Sequence, residues 1–169
     1  MCEIKRQRLT PLLAAALTLA GVACGQRSSA GFTPSAVSEV YAPGLGELMA
    51  LQQMRHTKLW LAGQAGNWEL AAYEVDELSE GFDDVVKWHP THKDSPVAPK
   101  DAIPHMITQP LADLRAAINR KDTGAFARTY DALTAACNNC HQATSFGFNR
   151  VQRPETNPYP NQVFASPKG

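Results

Sequence analysis

Three residues in the last quarter of the chain have the types and spacing that covalent haem attachment requires. Residues 137–141 read C-N-N-C-H, so two cysteines stand three positions apart and a histidine follows the second. Helix positions three and four apart share a face, so both thiols can add to the vinyl groups of one haem while the imidazole reaches the iron. C-x-x-C-H is the attachment sequence of c-type haem. We therefore expect Cys137 and Cys140 to be thioether anchors and His141 to be the proximal iron ligand of one haem c.

Three other chemistries use the same residue types. A thioredoxin-like redox pair needs its cysteines at the start of a helix after a strand, whereas these cysteines end a helical pattern. A zinc site would combine His141 with His89, His92 or His105, but no second C-x-x-C or H-x-x-x-H pattern accompanies them. A structural disulfide would have no use for His141. Haem attachment is the interpretation that uses both cysteines and the histidine.

Residues 1–23 have the features of an export signal. Three basic residues precede an apolar run over residues 11–23, which is shorter than the ~20 residues that cross a bilayer. Removal of this segment changes the formal charge from zero to about −2, and a chain of that charge has no strong attraction for nucleic acid. We expect export to the periplasm of a Gram-negative bacterium, outside the cytoplasm, where haem is attached to such motifs.

The residue after the signal, Cys24, is a candidate for lipidation. The sequence L-A-G-V-A-C resembles a bacterial lipoprotein box, although Gly21 stands where that box has a branched aliphatic residue. Ordinary cleavage after the small residue Ala23 is the alternative. A lipid on Cys24 would be the only membrane attachment that we expect.

Four helical patterns follow a tether over residues 24–43. The first runs from about residue 44 to 63, the second begins with Asn67 as its N-cap, and the third lies within 103–120. The fourth begins with Asp122 as its N-cap. No segment alternates in the way of a β-strand. The pattern predicts an all-α fold, an up-down four-helix bundle with an irregular C-terminal tail.

The bundle is expected to span residues 44–148 and the extended tail residues 149–169. Short connections between the first and second helices, and between the third and fourth, predict antiparallel neighbours. A long proline-containing loop over residues 89–110 joins the two pairs. We expect its His89 and His92 to lie in solvent.

With its single C-N-N-C-H motif near the end of the last helix, this sequence resembles the cytochrome c-prime family and its low-spin relatives. The resemblance covers residues 44–148 in architecture, and the attachment motif is its only specific part. A weaker match is L-M-A at residues 48–50, where the first helix of this family often carries a distal methionine. The resemblance implies an exported four-helix cytochrome with one covalent haem. The long loop and the tail depart from the compact family pattern.

Two residues of the first helix are candidates for the sixth iron ligand. Counting residues along antiparallel helices places Met49 level with the iron and on the inward face. His56 lies on the same face but about 10 Å nearer the other end, at 1.5 Å per residue, and is the alternative candidate. An open sixth position is the third alternative, and His105 and Met106 are more distant contenders.

The distal residue decides between the functions that the sequence allows. A histidine–methionine pair predicts a protein that transfers single electrons to redox partner proteins. An open position favours a module that binds nitric oxide or carbon monoxide, and a third alternative is the haem subunit of a larger oxidoreductase. The sequence has no nucleophile–base pattern, so we do not expect an enzyme that acts through its side chains. A homodimer is left open.

Overall fold

The computed structural model describes residues 41–166, which form helices and no strand. The predicted signal segment 1–23, Cys24 and most of the predicted tether lie outside the described residues. The all-α class is confirmed for the part that the structure describes, and its arrangement is compatible with a helical bundle. No helix among these residues is both long and apolar enough to cross a membrane. The helices are α1 (Leu45–Gln64), α2 (Trp68–Trp88), α3 (Pro99–Met106), α4 (Thr108–Asn119) and α5 (Thr123–Ala143).

The two predicted N-caps are present. The side chain of Asn67 accepts a hydrogen bond from the backbone N–H of Leu70 at 3.1 Å, and α2 begins at the next residue. The side chain of Asp122 does the same for Ala125 at 2.9 Å, at the start of α5. Each cap satisfies a backbone donor that has no partner within the helix, so these two boundaries follow directly from local chemistry.

The third helix differs from the prediction. The structure has two helices in its place, and Ile107 separates them. Pro99 starts α3 earlier than expected, because its fixed φ suits the first helical position. Pro110 has no N–H to donate to the carbonyl of Met106 four residues back, which removes one of the hydrogen bonds that would make α3 and α4 continuous. The connection expected over residues 89–110 is therefore confined to residues 89–98.

An apolar core joins the helices, with α1 against α2 and α4 against α5, and with further contacts from α2 to α3 and α4. The largest side chains that are fully buried are aromatic, Tyr130 and Phe126 of α5. The ring of Trp60 on α1 lies 4.8 Å from that of Tyr130 and 5.9 Å from that of Phe126. Burial of these rings accounts for much of the apolar stabilisation at the contact between α1 and α5.

After α5 the chain has no helix up to residue 166 and returns along the bundle. Arg153 donates two hydrogen bonds to the carboxylate of Asp131 on α5, both at 2.6 Å. Phe164 is buried in the core. Arg153 also lies over the ring of Trp60, 4.1 Å from its centroid, so polar contacts and burial both attach this segment to the helices.

We expect Gly63→Ala to lower the free energy of unfolding by about 1–3 kcal/mol. Gly63 on α1 is buried directly beneath the ring of Phe126, and a Cβ atom there would overlap that ring. Gly46→Ala on the same helix is the matched control, since a Cβ at Gly46 meets open space. Urea denaturation of the two variants measures the difference, and equal losses of stability would contradict the close approach of α1 and α5.

Candidate functional site

The end of α5 carries the two cysteines and the histidine of the attachment motif. All three lie within its last seven residues, with His141 in the last turn. The helix stops three residues later, at Thr144, whose hydroxyl donates to the Cys140 carbonyl at 2.7 Å. The helical spacing that the sequence predicted is therefore present, and the motif lies where the chain leaves the bundle.

Two adjoining cavities lie beside this helix end and share five lining residues. They enclose about 660 and 740 Å³ of space, including the part that is open to solvent. The shared residues come from three helices and the tail, and they are Met49, Ile103, Cys140, His141 and Asn149. Residues that are distant in sequence, among them both predicted axial ligands, therefore line the same site. We call the two cavities together the groove.

The imidazole of His141 is oriented by the tail. Its Nδ1 lies 2.5 Å from the carbonyl oxygen of Asn149. A carbonyl oxygen only accepts, so Nδ1 carries the proton and Nε2 of the neutral ring keeps its lone pair. Histidines that bind metals usually donate their other ring N–H in this way to a carbonyl or a carboxylate. His141 therefore has the tautomer that an iron ligand needs.

The two cysteines are thiols that are not joined by a disulfide. Burial, and to a smaller extent the neighbouring Cys140, raise the pKa of Cys137 to about 12. Burial also raises the pKa of Cys140. Cysteines of redox pairs and nucleophiles have lowered pKa values instead. Burial therefore favours the neutral thiol at both positions.

Met49 of α1 lines the same two cavities as Cys140 and His141. It is half-buried and lines both cavities, whereas Met54 on the same helix lines neither. Gln52 and His56, three and seven positions after Met49, line the first cavity and are buried. This face of α1 is the one that the sequence predicted to point inward.

His56 is held by a hydrogen-bond network that uses both of its ring nitrogens. The Thr134 hydroxyl donates to the Tyr130 carbonyl at 2.9 Å, so it accepts from Nε2–H of His56, also at 2.9 Å. The Tyr130 hydroxyl lies 2.9 Å from Nδ1 of His56 and 3.0 Å from the backbone carbonyl of His56, so its one proton is shared between these two acceptors. The rings of His56 and Tyr130 also stack, with centroids 4.5 Å apart. Neither nitrogen of His56 has a lone pair free for iron while this network is intact.

Burial also affects the protonation of His56, whose side chain is almost completely enclosed. Burial lowers its pKa from 6.5 to about 4, because an imidazolium ion would lose its hydration there. The histidine is neutral at pH 7, in agreement with a network in which Nδ1 accepts and Nε2 donates.

The expectation that His89 and His92 lie in solvent is wrong. Both are half-buried, and Nε2 of His89 lies 2.8 Å from the Pro43 carbonyl. His92 lines the second cavity, with its ring edge-on to Phe146 at 5.5 Å. Nothing in the local sequence marks His92, because the path of an irregular loop decides its place.

His105 and Met106, expected on the loop, belong instead to α3. His105 is exposed and Met106 is half-buried against the core, and neither lines either of the two cavities described above. The tail residue Asn149 is a site residue that sequence reasoning missed. Its contribution is a backbone carbonyl, which carries no signal in the residue type.

No group of three or more histidine, cysteine, aspartate or glutamate side chains arranged to hold a metal ion occurs among the described residues. A haem iron needs fewer ligands from the protein, because the porphyrin supplies four of them and the chain supplies only one or two. Comparisons with protein-family models, with curated proteins and with solved structures give no match to this chain.

Proposed function

We propose that this chain is an exported mono-haem c-type cytochrome that transfers single electrons, built as an up-down four-helix bundle of the cytochrome c-prime kind. The observation that carries the proposal is the groove at which Cys137, Cys140 and His141 of α5 meet Met49 of α1. Four residues that suit haem attachment and axial ligation come from two helices nearly ninety positions apart and line one cavity. The resemblance to the cytochrome c-prime family and the apolar lining of the cavity support the same proposal.

The residues at the groove fit a haem in chemistry as well as in position. Cys137 and Cys140 would hold it by thioether bonds, Nε2 of His141 would bind the iron, and the thioether of Met49 would be the second ligand that the protein supplies. Bound there, the haem supplies an iron that alternates between the ferric and ferrous states. The free Nε2 lone pair of His141, fixed by the Asn149 carbonyl at 2.5 Å, is the feature that favours iron over a purely structural role.

The walls of the groove would exclude water from the iron. Its apolar lining comes from three helices and the residue between α3 and α4, with Leu78 and Phe82 of α2, Ile103 of α3, Ile107, and Leu133 of α5. All five are buried, and Leu133 and Ile107 are almost completely enclosed. A dry and closely packed lining changes little when the iron changes charge, which suits rapid transfer of one electron, and it also sets the potential.

We also propose a location and a class of partners for the protein. The signal segment supports export to the periplasm, and lipidation of Cys24 would attach the chain to a membrane. Partners would be other redox proteins that dock where the groove opens to solvent. Exposed carboxylates on α2, among them Glu80, Asp83 and Asp84, offer a negative surface to a basic partner.

Production of the full chain in a bacterium that matures c-type cytochromes tests the proposal. We expect one haem that stays attached under denaturing conditions, seen by mass spectrometry and haem staining. The double variant Cys137→Ser/Cys140→Ser should lose it completely, because no thiol remains at the motif. Secretion of a wild-type chain with no haem and an intact fold would contradict the proposal.

The spectrum of the same holoprotein separates electron transfer from its alternatives. A low-spin ferric spectrum with methionine ligation supports electron transfer. A high-spin ferric protein that binds carbon monoxide or nitric oxide readily would favour a gas-binding module. Copurification with a second exported redox subunit would favour the larger oxidoreductase.

A further inference from the structure

Asn138, the first residue between the two cysteines, joins the attachment motif to the tail. Its Nδ2 donates to the carbonyl of Val151 at 2.9 Å, and its Oδ1 accepts from the N–H of Val151 at 2.9 Å. We call this pair of hydrogen bonds the Asn138–Val151 clamp. The side-chain amide of Asn138 both donates to and accepts from the backbone of Val151. Two hydrogen bonds to one residue fix its orientation as well as its position.

The clamp lies next to the hydrogen bond that orients His141. The carbonyl that accepts from Nδ1 belongs to Asn149, two residues before Val151. Two residues of chain span at most about 7 Å, so fixing Val151 confines the Asn149 carbonyl to a small region. Asn138 and His141 are three positions apart on α5, which places them on neighbouring positions of one helix face.

Asn139 is a natural control for this arrangement. It has the same residue type, lies in the same helical turn and also stands between the two cysteines. Its side chain is exposed, whereas that of Asn138 is half-buried against the tail. A difference between substitutions at these two positions therefore reports the clamp and not the attachment sequence in general.

We infer that Asn138 is a positioning residue for the iron ligand: through Val151 it holds the Asn149 carbonyl on Nδ1 of His141. This inference rests on the proposed function, since it concerns the ligand of a bound haem. Strong donation from Nδ1 to a carbonyl makes the imidazole a better electron donor. A weaker hydrogen bond would make His141 a poorer donor to the iron and would favour the ferrous state, so the reduction potential would rise.

The test compares the holoproteins Asn138→Ala and Asn139→Ala with the wild type. The first readout is solvent exchange of the Nδ1 proton of His141, followed by paramagnetic NMR of the ferric protein. Two ordinary hydrogen bonds make a local opening about ten- to a hundredfold rarer, so exchange in Asn138→Ala should be faster by that factor. The second readout is the midpoint potential, which should rise in Asn138→Ala and stay at the wild-type value in Asn139→Ala.

A second variant approaches the clamp from the tail and leaves the attachment motif intact. Val151→Pro removes the N–H that donates to Asn138 and should change the exchange rate and the potential in the same directions. If Asn138→Ala does not attach haem, the comparison of Val151→Pro with the wild type tests the inference in its place.

Haem content is measured first, because it tests the proposed function separately from the positioning role of Asn138. A folded wild-type chain without covalent haem would contradict the proposed function and this inference together. With haem attached, equal proton exchange and equal potentials in Asn138→Ala and Asn139→Ala would overturn the inference alone. Faster exchange with an unchanged potential would show that the clamp holds the tail without positioning the ligand, which also overturns it.

Discussion

Met49→Ala is expected to convert a low-spin ferric holoprotein into a high-spin one. Met49 of α1 lines both cavities, as does His141 of α5. Alanine has no sulfur to bind the iron, so the sixth position would be open or would hold water. Because methionine ligation raises the potential and axial ligands tune haem over about 0.8 V, we expect the midpoint potential to fall by ~0.1 V or more.

Optical and electron paramagnetic resonance spectra measure the change in spin state, and carbon monoxide binding to the ferrous protein measures access to the iron. Met54→Ala is the matched control, since Met54 lies on the same helix and lines neither cavity. It should keep the wild-type spectrum and potential. A low-spin spectrum that survives Met49→Ala would show that another residue binds the iron, and His92 would be the next to replace because it lines the second cavity.

The predictions that succeeded rest on interactions between residues close in sequence. The caps Asn67 and Asp122 each satisfy a donor three residues ahead, so residue type and spacing locate the starts of α2 and α5. The inward face of α1 follows from helical periodicity, and that periodicity placed both Met49 and His56 at the cavity.

Prolines limited the prediction of the third helix. The periodic apolar residues continue through Ile107, so the pattern alone indicated one helix within residues 103–120. The missing N–H of Pro110 interrupts the hydrogen bonds without interrupting that pattern, and Ile107 stays buried at the break. Periodicity reports which residues face the core and is less informative about continuous backbone hydrogen bonding.

The remaining site residues depend on the path of irregular chain. His92 and Asn149 reach the groove from the loop after α2 and from the tail. Neither segment has a period, and Asn149 acts through its carbonyl. The clamp between Asn138 and Val151 joins positions 13 residues apart. Such contacts are set by the packed fold, which is why the sequence predicted Cys137, Cys140 and His141 as site residues but did not predict the groups that orient them.

His56 is expected to make the stability of the protein depend on pH. Burial lowers its pKa to about 4, from 6.5 for an unperturbed histidine. Between these values the unfolded chain binds more protons than the folded one, so the free energy of unfolding rises with pH. This contribution is fully present above pH 6.5 and is lost as the pH falls through 4. Its full size is about 3 kcal/mol.

His56→Phe removes the titrating group and keeps a ring that can stack on Tyr130. At pH 7 the variant should be less stable than the wild type by about 1–2 kcal/mol, because the hydrogen bonds of His56 to Thr134 and Tyr130 are lost. On lowering the pH to 4.5 the wild type should lose about 2 kcal/mol more than the variant does, so the difference between them should vanish or change sign. Urea denaturation of the holoproteins at the two pH values, followed by circular dichroism, measures both effects.

His105→Phe is the control, since His105 is an exposed histidine on α3. Its stability should follow that of the wild type at both pH values. The same samples also test the alternative assignment of the sixth ligand. Because both ring nitrogens of His56 bind protein groups, His56→Phe should leave the haem spectrum low-spin. Conversion to a high-spin spectrum in His56→Phe, with Met49→Ala unchanged, would show that the network gives way to iron and that His56 is the ligand.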